Sequence, residues 1–326
     1  MIDVHIIGAS GYAAAELVRL LDAHPDVRIA TLESSSAAGA RACDLFPALP
    51  EITLRCEDVG TVAARVQRGD VVFLAGNQEV ARANTPLLLE RGARVIDLSD
   101  AFRLHARAGE AVYGFPERYR DAIAHAALVA NPGCYVTAAL LALTPLGSLG
   151  GRIAHIVIDA KSGITGAGRT PKVGSLFAEV EGNVLAYGLE GHRHAEEIGQ
   201  EILAAGLDRP YIFSPHVVPL GRGLLADVYL IPSAPIARDE VLAIYERAYA
   251  ANPFVTVLSG GRVPNLPSLA KTNNAQLAVA ERGGIVHVVC GIDNLGKGAA
   301  GQAVQNMNLM CGLGEERGLG TRTAVR

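Results

Sequence analysis

Tryptophan is absent from this 326-residue chain, and aromatic residues make up only 5% of it. So few rings leave little from which to build a stacking platform for carbohydrate or single-stranded nucleic acid. An excess of charge of either sign is also lacking. Lys and Arg total 29 against 33 Asp and Glu, a formal net charge of -4, which gives no reason to expect nucleic acid or an anionic membrane surface as partner. The five cysteines, Cys43, Cys56, Cys134, Cys290 and Cys311, lie far apart and form no CxxC pair. Neither a disulfide framework nor a cysteine zinc site is favoured by that spacing. Long hydrophobic runs are missing too: residues 135–146 are interrupted by Thr137, Thr144 and Pro145 and read as too short to span a bilayer. The chain opens directly on a strand-like segment, which reads as leaving no room for a signal peptide. These absences predict a globular, cytoplasmic protein with no nucleic-acid or membrane partner.

What is present is apolar and glycine-rich: half the residues are hydrophobic, 36 are glycine and only 19% are charged. That is ample for sizeable cores, and the length accommodates two domains. The first part alternates short apolar runs with helical spacing. Residues 4–7, 27–32, 71–75, 94–98 and 127–130 read as strands. Helices are expected over 12–23, 62–68 and 134–143, with another starting at 84–91 and carrying Pro86 in its first turn. This alternation predicts a parallel α/β sheet. The glycines of 147–151 mark a boundary. Beyond it, 153–160, 211–220, 224–231 and 284–292 read as longer, half-exposed strands, with helices at 194–205 and 238–250. A mixed α+β sheet fits, and its apolar strands suit a homodimer or homotetramer. A last helix is expected over 298–309, and the polar, glycine-rich 314–326 reads as a loose tail. The expected division is 1–147, a dinucleotide-binding domain with a nucleophile at its end; 148–293, a substrate and oligomerisation domain; and 294–326, a helix returning to the first domain plus the tail.

Gly8-Ala9-Ser10-Gly11-Tyr12 falls between the first expected strand and helix. Small residues there let the backbone approach a pyrophosphate, and the helix N-terminus offers N–H groups and a favourable dipole. Ala14 stands where the usual third glycine would be. The second strand ends in Glu33-Ser34-Ser35-Ser36, with Arg41 shortly after. Glu33 argues for the free ribose hydroxyl of NAD, whereas Ser34, Ser35 and Arg41 argue for the 2′-phosphate of NADP; the hydroxyls and the Arg tip the reading to NADP.

Cys134 stands at the junction of an expected strand and helix, after Asn131-Pro132-Gly133. A thiol at a helix N-terminus is biased towards thiolate, the competent nucleophile, and the same N–H groups steady an oxyanion. A proton-transfer partner is needed, and Gly191-His192-Arg193-His194-Ala195-Glu196-Glu197 offers the densest histidine cluster. His192 and His194 do not share a helical face and no third ligand is near, so no metal is expected. Ser162-Gly163-Ile164-Thr165-Gly166-Ala167-Gly168-Arg169 suits an oxyanion pocket or, equally, a flexible loop. Arg103, just past an expected strand end, suits either a phosphate or carboxylate clamp or a structural ion pair.

With these residues in view, the sequence resembles the N-acetyl-γ-glutamyl-phosphate reductase family. The opening glycine turn with Glu16-Leu17, the Asn131-to-Tyr135 segment, residues 162–169, His192-Arg193-His194, Pro215-His216 to Arg222-Gly223, and the run from Asp293 to Gln302 match its landmarks in order. The resemblance implies a Rossmann domain plus an α+β catalytic and oligomerisation domain, as in aspartate-semialdehyde dehydrogenase, and NADPH as cofactor. It further implies Cys134 as nucleophile and His192 as acid/base. Ser162, Gly163 and Asn294 would lie at the nicotinamide end, and Arg193, His194 and Glu197 in the substrate pocket; Asn131 and Arg103 are added as substrate or phosphate groups. This chain departs from the family at Ala14, at Leu74-Ala75-Gly76-Asn77-Gln78, at Asp100-Ala101, at Glu196 and in a short 103–113 segment. Reductases of aspartyl phosphate or of carrier-bound aminoadipyl phosphate, a dinucleotide-binding redox sensor, and a nucleotide-free cysteine hydrolase are the competing readings.

Overall fold

The computed structural model describes residues 1–49 and 51–320. They form two compact units, one made of Met1–Pro132 with Ala299–Gly320 and the other of Gly133–Gly298.

The first unit is built on seven strands: β1 (Ile2–Ile7), β2 (Val27–Glu33), β3 (Cys56–Glu57), β4 (Val71–Leu74), β5 (Arg94–Asp97), β6 (Val112–Tyr113) and β7 (Leu128–Ala130). They lie in the order β3-β2-β1-β4-β5-β7-β6, and every pair is parallel. The four residues of β4 are all buried, as expected of a strand covered on both faces. Chain order reverses between β1 and β4, the place where open α/β sheets take up ligands at their carboxyl ends. Helix Gly301–Met310 belongs to this unit and buries nine of its ten residues. From this helix, Asn306 Nδ2 donates to Gly114 O and Asn131 Oδ1, both at 3.0 Å.

The second unit holds β8 (Ile153–Gly163), β9 (Leu185–Ala186), β10 (Tyr211–Val218), β11 (Leu224–Pro232), β12 (Val255–Val257), β13 (Ala275–Arg282) and β14 (Ile285–Ile292). Their order is β12-β13-β14-β11-β8-β10-β9. β8 runs parallel to β10 and β12 to β13, while the other pairs are antiparallel, so the sheet is mixed. Helix Cys134–Leu143 packs on β8, β11 and β14, helix Arg193–Ala204 packs on it, and helix Arg238–Tyr249 packs on β12 and β13. Every residue of Cys134–Leu143 after Cys134 is buried. Tyr245 and Tyr249 donate their hydroxyls to its carbonyls, at Ala142 and Leu141. The expected α/β plus mixed α+β class is therefore what forms.

Several expectations are corrected. The helix expected to start at 84–91 runs Gln78–Glu90, because the Asn77 side chain accepts the Val80 N–H and begins it earlier; Pro86 lies in its interior. The units change over at Pro132/Gly133 and not at the 147–151 glycines. Those glycines serve close packing: a Cβ at Gly147 or Gly150 would overlap the carbonyl oxygens of Ala205 and Gly206. With Pro145 inside a 3-10 segment, Cys134–Arg152 forms a continuous 19-residue helical stretch, apolar and long enough by composition to cross a bilayer; 67% of its most apolar window is buried inside the protein. The tail reading fails for residues 314–320: Asn308 Nδ2 donates to the carbonyls of Glu315 and Arg317, and Arg317 pairs with Asp26. Residues 321–326 of that reading lie outside the described residues. Strand β13 and helix Pro116–Ala124 were not marked by the sequence pattern; the helix buries only Pro116 and Ile123 and so shows little apolar periodicity.

Candidate active site

In the first unit, the segment between β1 and helix Tyr12–Asp22 is shaped for an anion. Gly8 has φ 88°, and a Cβ there would come within 2.6 Å of Gly76 N, so only glycine lets this turn lie against the chain after β4. At the helix start the N-cap Gly11 offers no capping side chain and the first turn has no acidic residue. A Cβ at Gly11 would meet nothing within 4 Å. The first-turn N–H groups thus lack a side-chain cap of their own, in the setting that holds a pyrophosphate. Ala9 and Ala14 are buried beneath the turn, while Tyr12 is exposed. Ser10 Oγ lies 3.1 Å from Ser36 Oγ, and Ser34 Oγ 3.5 Å from the same hydroxyl.

The carboxylate that favoured NAD is engaged elsewhere. Glu33 is 2% exposed, and its Oε2 accepts the Val62 N–H at 2.9 Å, capping helix Thr61–Arg65. It is therefore not free at the strand tip, whereas Ser35 and Ser36 are exposed there. The residues present fit a dinucleotide with a 2′-phosphate. Arg41, the cation that argued for a 2′-phosphate, makes a bidentate surface pair with Asp44, at 2.8 and 2.7 Å.

In the second unit, Cys134 is the first residue of its helix, after the N-cap Gly133. It lines a small pocket with Ser162, Gly163, Tyr187, His192, Arg193 and His194. The sequence thus named six of the residues that the fold gathers here. Tyr135, the last residue of the Asn131-to-Tyr135 segment, also lines the pocket, as does Tyr187, which no local motif had marked. Tyr187 donates to the Tyr135 hydroxyl at 3.3 Å, which donates to His216 O at 2.7 Å. Burial raises both phenols above their ordinary range, so they stay protonated.

Burial, reinforced by the Arg193 charge, lowers His192 to about 4. Its Nδ1 accepts the backbone N–H of His194 at 3.1 Å, which leaves the proton of the neutral ring on Nε2. At neutral pH this histidine is accordingly an N–H donor, and its lone pair is occupied by the helix start. The His192 and His194 rings pack edge to face, 4.7 Å between centroids.

Asn294 supports the pocket rim. Its Oδ1 accepts Gly223 N at 2.8 Å and its Nδ2 donates to Thr165 Oγ1 at 2.9 Å. A Cβ at Gly163 would come within 2.8 Å of Leu220 O, and the Ser162 hydroxyl donates to Gly163 O at 3.2 Å. Three expected substrate groups have other work. Glu197 is 2% exposed and accepts Gly133 N at 3.1 Å. In the first unit, buried Arg103 donates to the carbonyls of Asn131 and Leu98, at 2.8 and 2.7 Å. Asn131 is 1% exposed, donating to Ala299 O and accepting from Asn306. All three are buried and bonded to backbone groups, Arg103 and Asn131 about the Asn131 turn and Glu197 at the N-cap Gly133 of the cysteine's helix.

A parallel dinucleotide-type sheet, a mixed-sheet unit and a cysteine at a buried helix N-terminus define a semialdehyde dehydrogenase. Family sequences agree: the NAD binding domain of semialdehyde dehydrogenases matches residues 3–126, and their dimerisation domain matches 134–294. Among solved structures, the fold is shared with aspartate semialdehyde dehydrogenase II of Vibrio cholerae (TM-score 0.75, 19% identity, 95% of this chain and 98% of that one). It is also shared with the Candida albicans enzyme solved with NADP (TM-score 0.71, 15% identity, the same two coverages). Curated relatives named N-acetyl-gamma-glutamyl-phosphate reductase, from Moorella thermoacetica and Desulfotalea psychrophila, are 44% and 43% identical over 98% of each chain. The chain belongs to the N-acetyl-γ-glutamyl-phosphate reductase family.

Proposed function

We propose that this protein reduces N-acetyl-γ-glutamyl phosphate to N-acetylglutamate 5-semialdehyde and phosphate, a step of arginine biosynthesis, through a thioester on Cys134. The observation that carries the reading is Cys134 itself, at the first position of a buried helix and in one pocket with His192 and Arg193. The thiolate adds to the acyl carbon, the bond from that carbon to the phosphate oxygen breaks, and inorganic phosphate leaves with its electron pair. The N-terminal N–H groups of helix Cys134–Leu143 face the developing negative charge. His192 Nε2–H donates to the oxygen that gains charge, and Arg193 offers a cation to the phosphate or carboxylate. NADPH, when bound, supplies the hydride that a thioester accepts. Gly8, Ala9, Ser10, Gly11 and Tyr12 would hold its pyrophosphate and Ser35 with Ser36 its 2′-phosphate. Ser162, Gly163 and Asn294 would shape the nicotinamide end. Breaking the carbon–sulfur bond then frees the aldehyde and restores Cys134.

The dimerisation-domain match supports a homodimer or homotetramer. The five cysteines are not joined in disulfides, which is in keeping with a reducing, cytoplasmic setting. The test is the reverse reaction: purified protein with N-acetylglutamate semialdehyde, phosphate and NADP, followed by absorbance of reduced cofactor. Phosphate-dependent reduction is expected. It should vanish in Cys134→Ser while NADPH affinity stays; persistent turnover in that variant rejects the thioester. Signal with aspartate semialdehyde alone would keep the chemistry and change the substrate.

A further inference from the structure

Between β8 and helix Arg193–Ala204 the second unit extends an arm whose apolar side chains face water. Val173 is 72% exposed, Phe177 82%, Val184 62% and Leu189 66%, and Leu176 and Leu185 are exposed beside them. Six large apolar side chains in so short a stretch are unusual for a surface that stays solvated. The arm is tied back by β9, whose Leu185 and Ala186 pair with Val217 and His216 of β10, and by Tyr187 N–H on Pro215 O at 3.1 Å. The next residue in the chain, Gly188, is seated on the His192 ring, since a Cβ there would come within 3.2 Å of it. One short segment thus carries both the exposed apolar surface and the Tyr187 wall of the cysteine pocket.

We infer that this arm clasps a second copy of the chain, and that assembly holds the Tyr187 side of the Cys134 pocket in place. The occupant is a second copy because the arm lies wholly inside the stretch that matches the dimerisation domain. It also continues the edge of a sheet whose next strand exposes Ile212 at 59%. A two-fold axis sets the same apolar patch on both subunits, which an apolar, uncharged patch tolerates without repulsion. Coupling to the pocket rests on the proposed role of Cys134; the clasp does not.

The test uses the full chain and its Phe177→Asp and Val173→Asp variants, both at sites so exposed that the subunit fold has no need of the apolar group. Sedimentation equilibrium reads association, the rate of Cys134 alkylation by iodoacetamide reads the pocket, and the reverse reaction reads turnover. The wild type should associate, and each variant should weaken association at least about 30-fold, the effect of removing one interface hot spot. Dissociated subunits should lose about tenfold or more in turnover from a misplaced pocket wall, show an altered alkylation rate, and recover as protein concentration restores association. Two variants with wild-type association overturn the clasp. Dissociated subunits with wild-type turnover and alkylation overturn the coupling. If the wild type has no turnover, the proposed function fails, while sedimentation and alkylation still decide both parts. Circular dichroism identifies a misfolded variant, and Val184→Glu, at the other end of the arm, then takes its place.

Discussion

Glu197 Oε1 accepts the amide N–H of Gly133 at 3.1 Å, one residue ahead of Cys134. Both residues are buried, and the bond ties helix Arg193–Ala204 to the N-cap of the cysteine's helix. Glu197→Ala leaves a buried N–H without its acceptor, which costs about 1–3 kcal/mol. Glu197→Gln keeps an acceptor oxygen at the same reach. The alanine variant should melt earlier and lose turnover, and the glutamine variant should recover most of both in paired melting and kinetic measurements. Equal loss in the two would mean that the charge, and not the bond, is what the site needs.

Gly298 packs directly on the nucleophile. A Cβ there would lie 2.8 Å from Cys134 Cβ. Gly298→Ala must therefore displace one of the two, and overpacking of this kind costs about 1–3 kcal/mol. The expected signature is a fall in turnover larger than the change in KM, because the displaced atom belongs to the reacting residue. A wild-type rate at a lowered melting temperature would show that Cys134 holds its place and the strain goes elsewhere.

His192 titrates at about 4 in the fold, against an ordinary 6.5. The unfolded chain therefore binds the proton first as pH drops, so stability from this group is fully present above 6.5, declines towards 4 and is constant below. With the ring neutral at pH 7, kcat/KM should show no histidine inflection between pH 5 and 8. His192→Ala should reduce turnover by about 10²–10³, the effect of losing one oxyanion donor. An inflection near 6.5 that disappears in His192→Gln would contradict the donor assignment.

Glu33 caps helix Thr61–Arg65 from the end of β2. Glu33→Ala should lower stability by about 1 kcal/mol through loss of that cap, read as a shifted denaturation midpoint. It should leave the preference for NADP over NAD unchanged, because the carboxylate is buried and already engaged by the Val62 N–H. A switch in cofactor preference on removing Glu33 would show that the carboxylate reaches the ribose after all.

What the sequence determined by itself is what short-range physics carries. The strand-glycine-helix opening, the buried β4, and a cysteine at the first position of helix Cys134–Leu143 all follow from apolar spacing and helix-end chemistry over a few residues. The same is true of the α/β class and of the His192-Arg193-His194 cluster. The tertiary structure alone decided where charged and polar side chains spend their bonds. Glu33 caps a helix 29 residues away, Glu197 reaches back 64 residues to Gly133, and His24 meets Asn308 across 284 residues. Arg103 turns from a candidate clamp into the brace of the Asn131 turn. Residues 315 and 317, which look loose in isolation, are held by Asn308. A periodic pattern says which face of an element is apolar. Which distant donor completes a buried carboxylate is settled only when the chain has closed around it, since an unpaired polar group inside costs more than any local preference can offset.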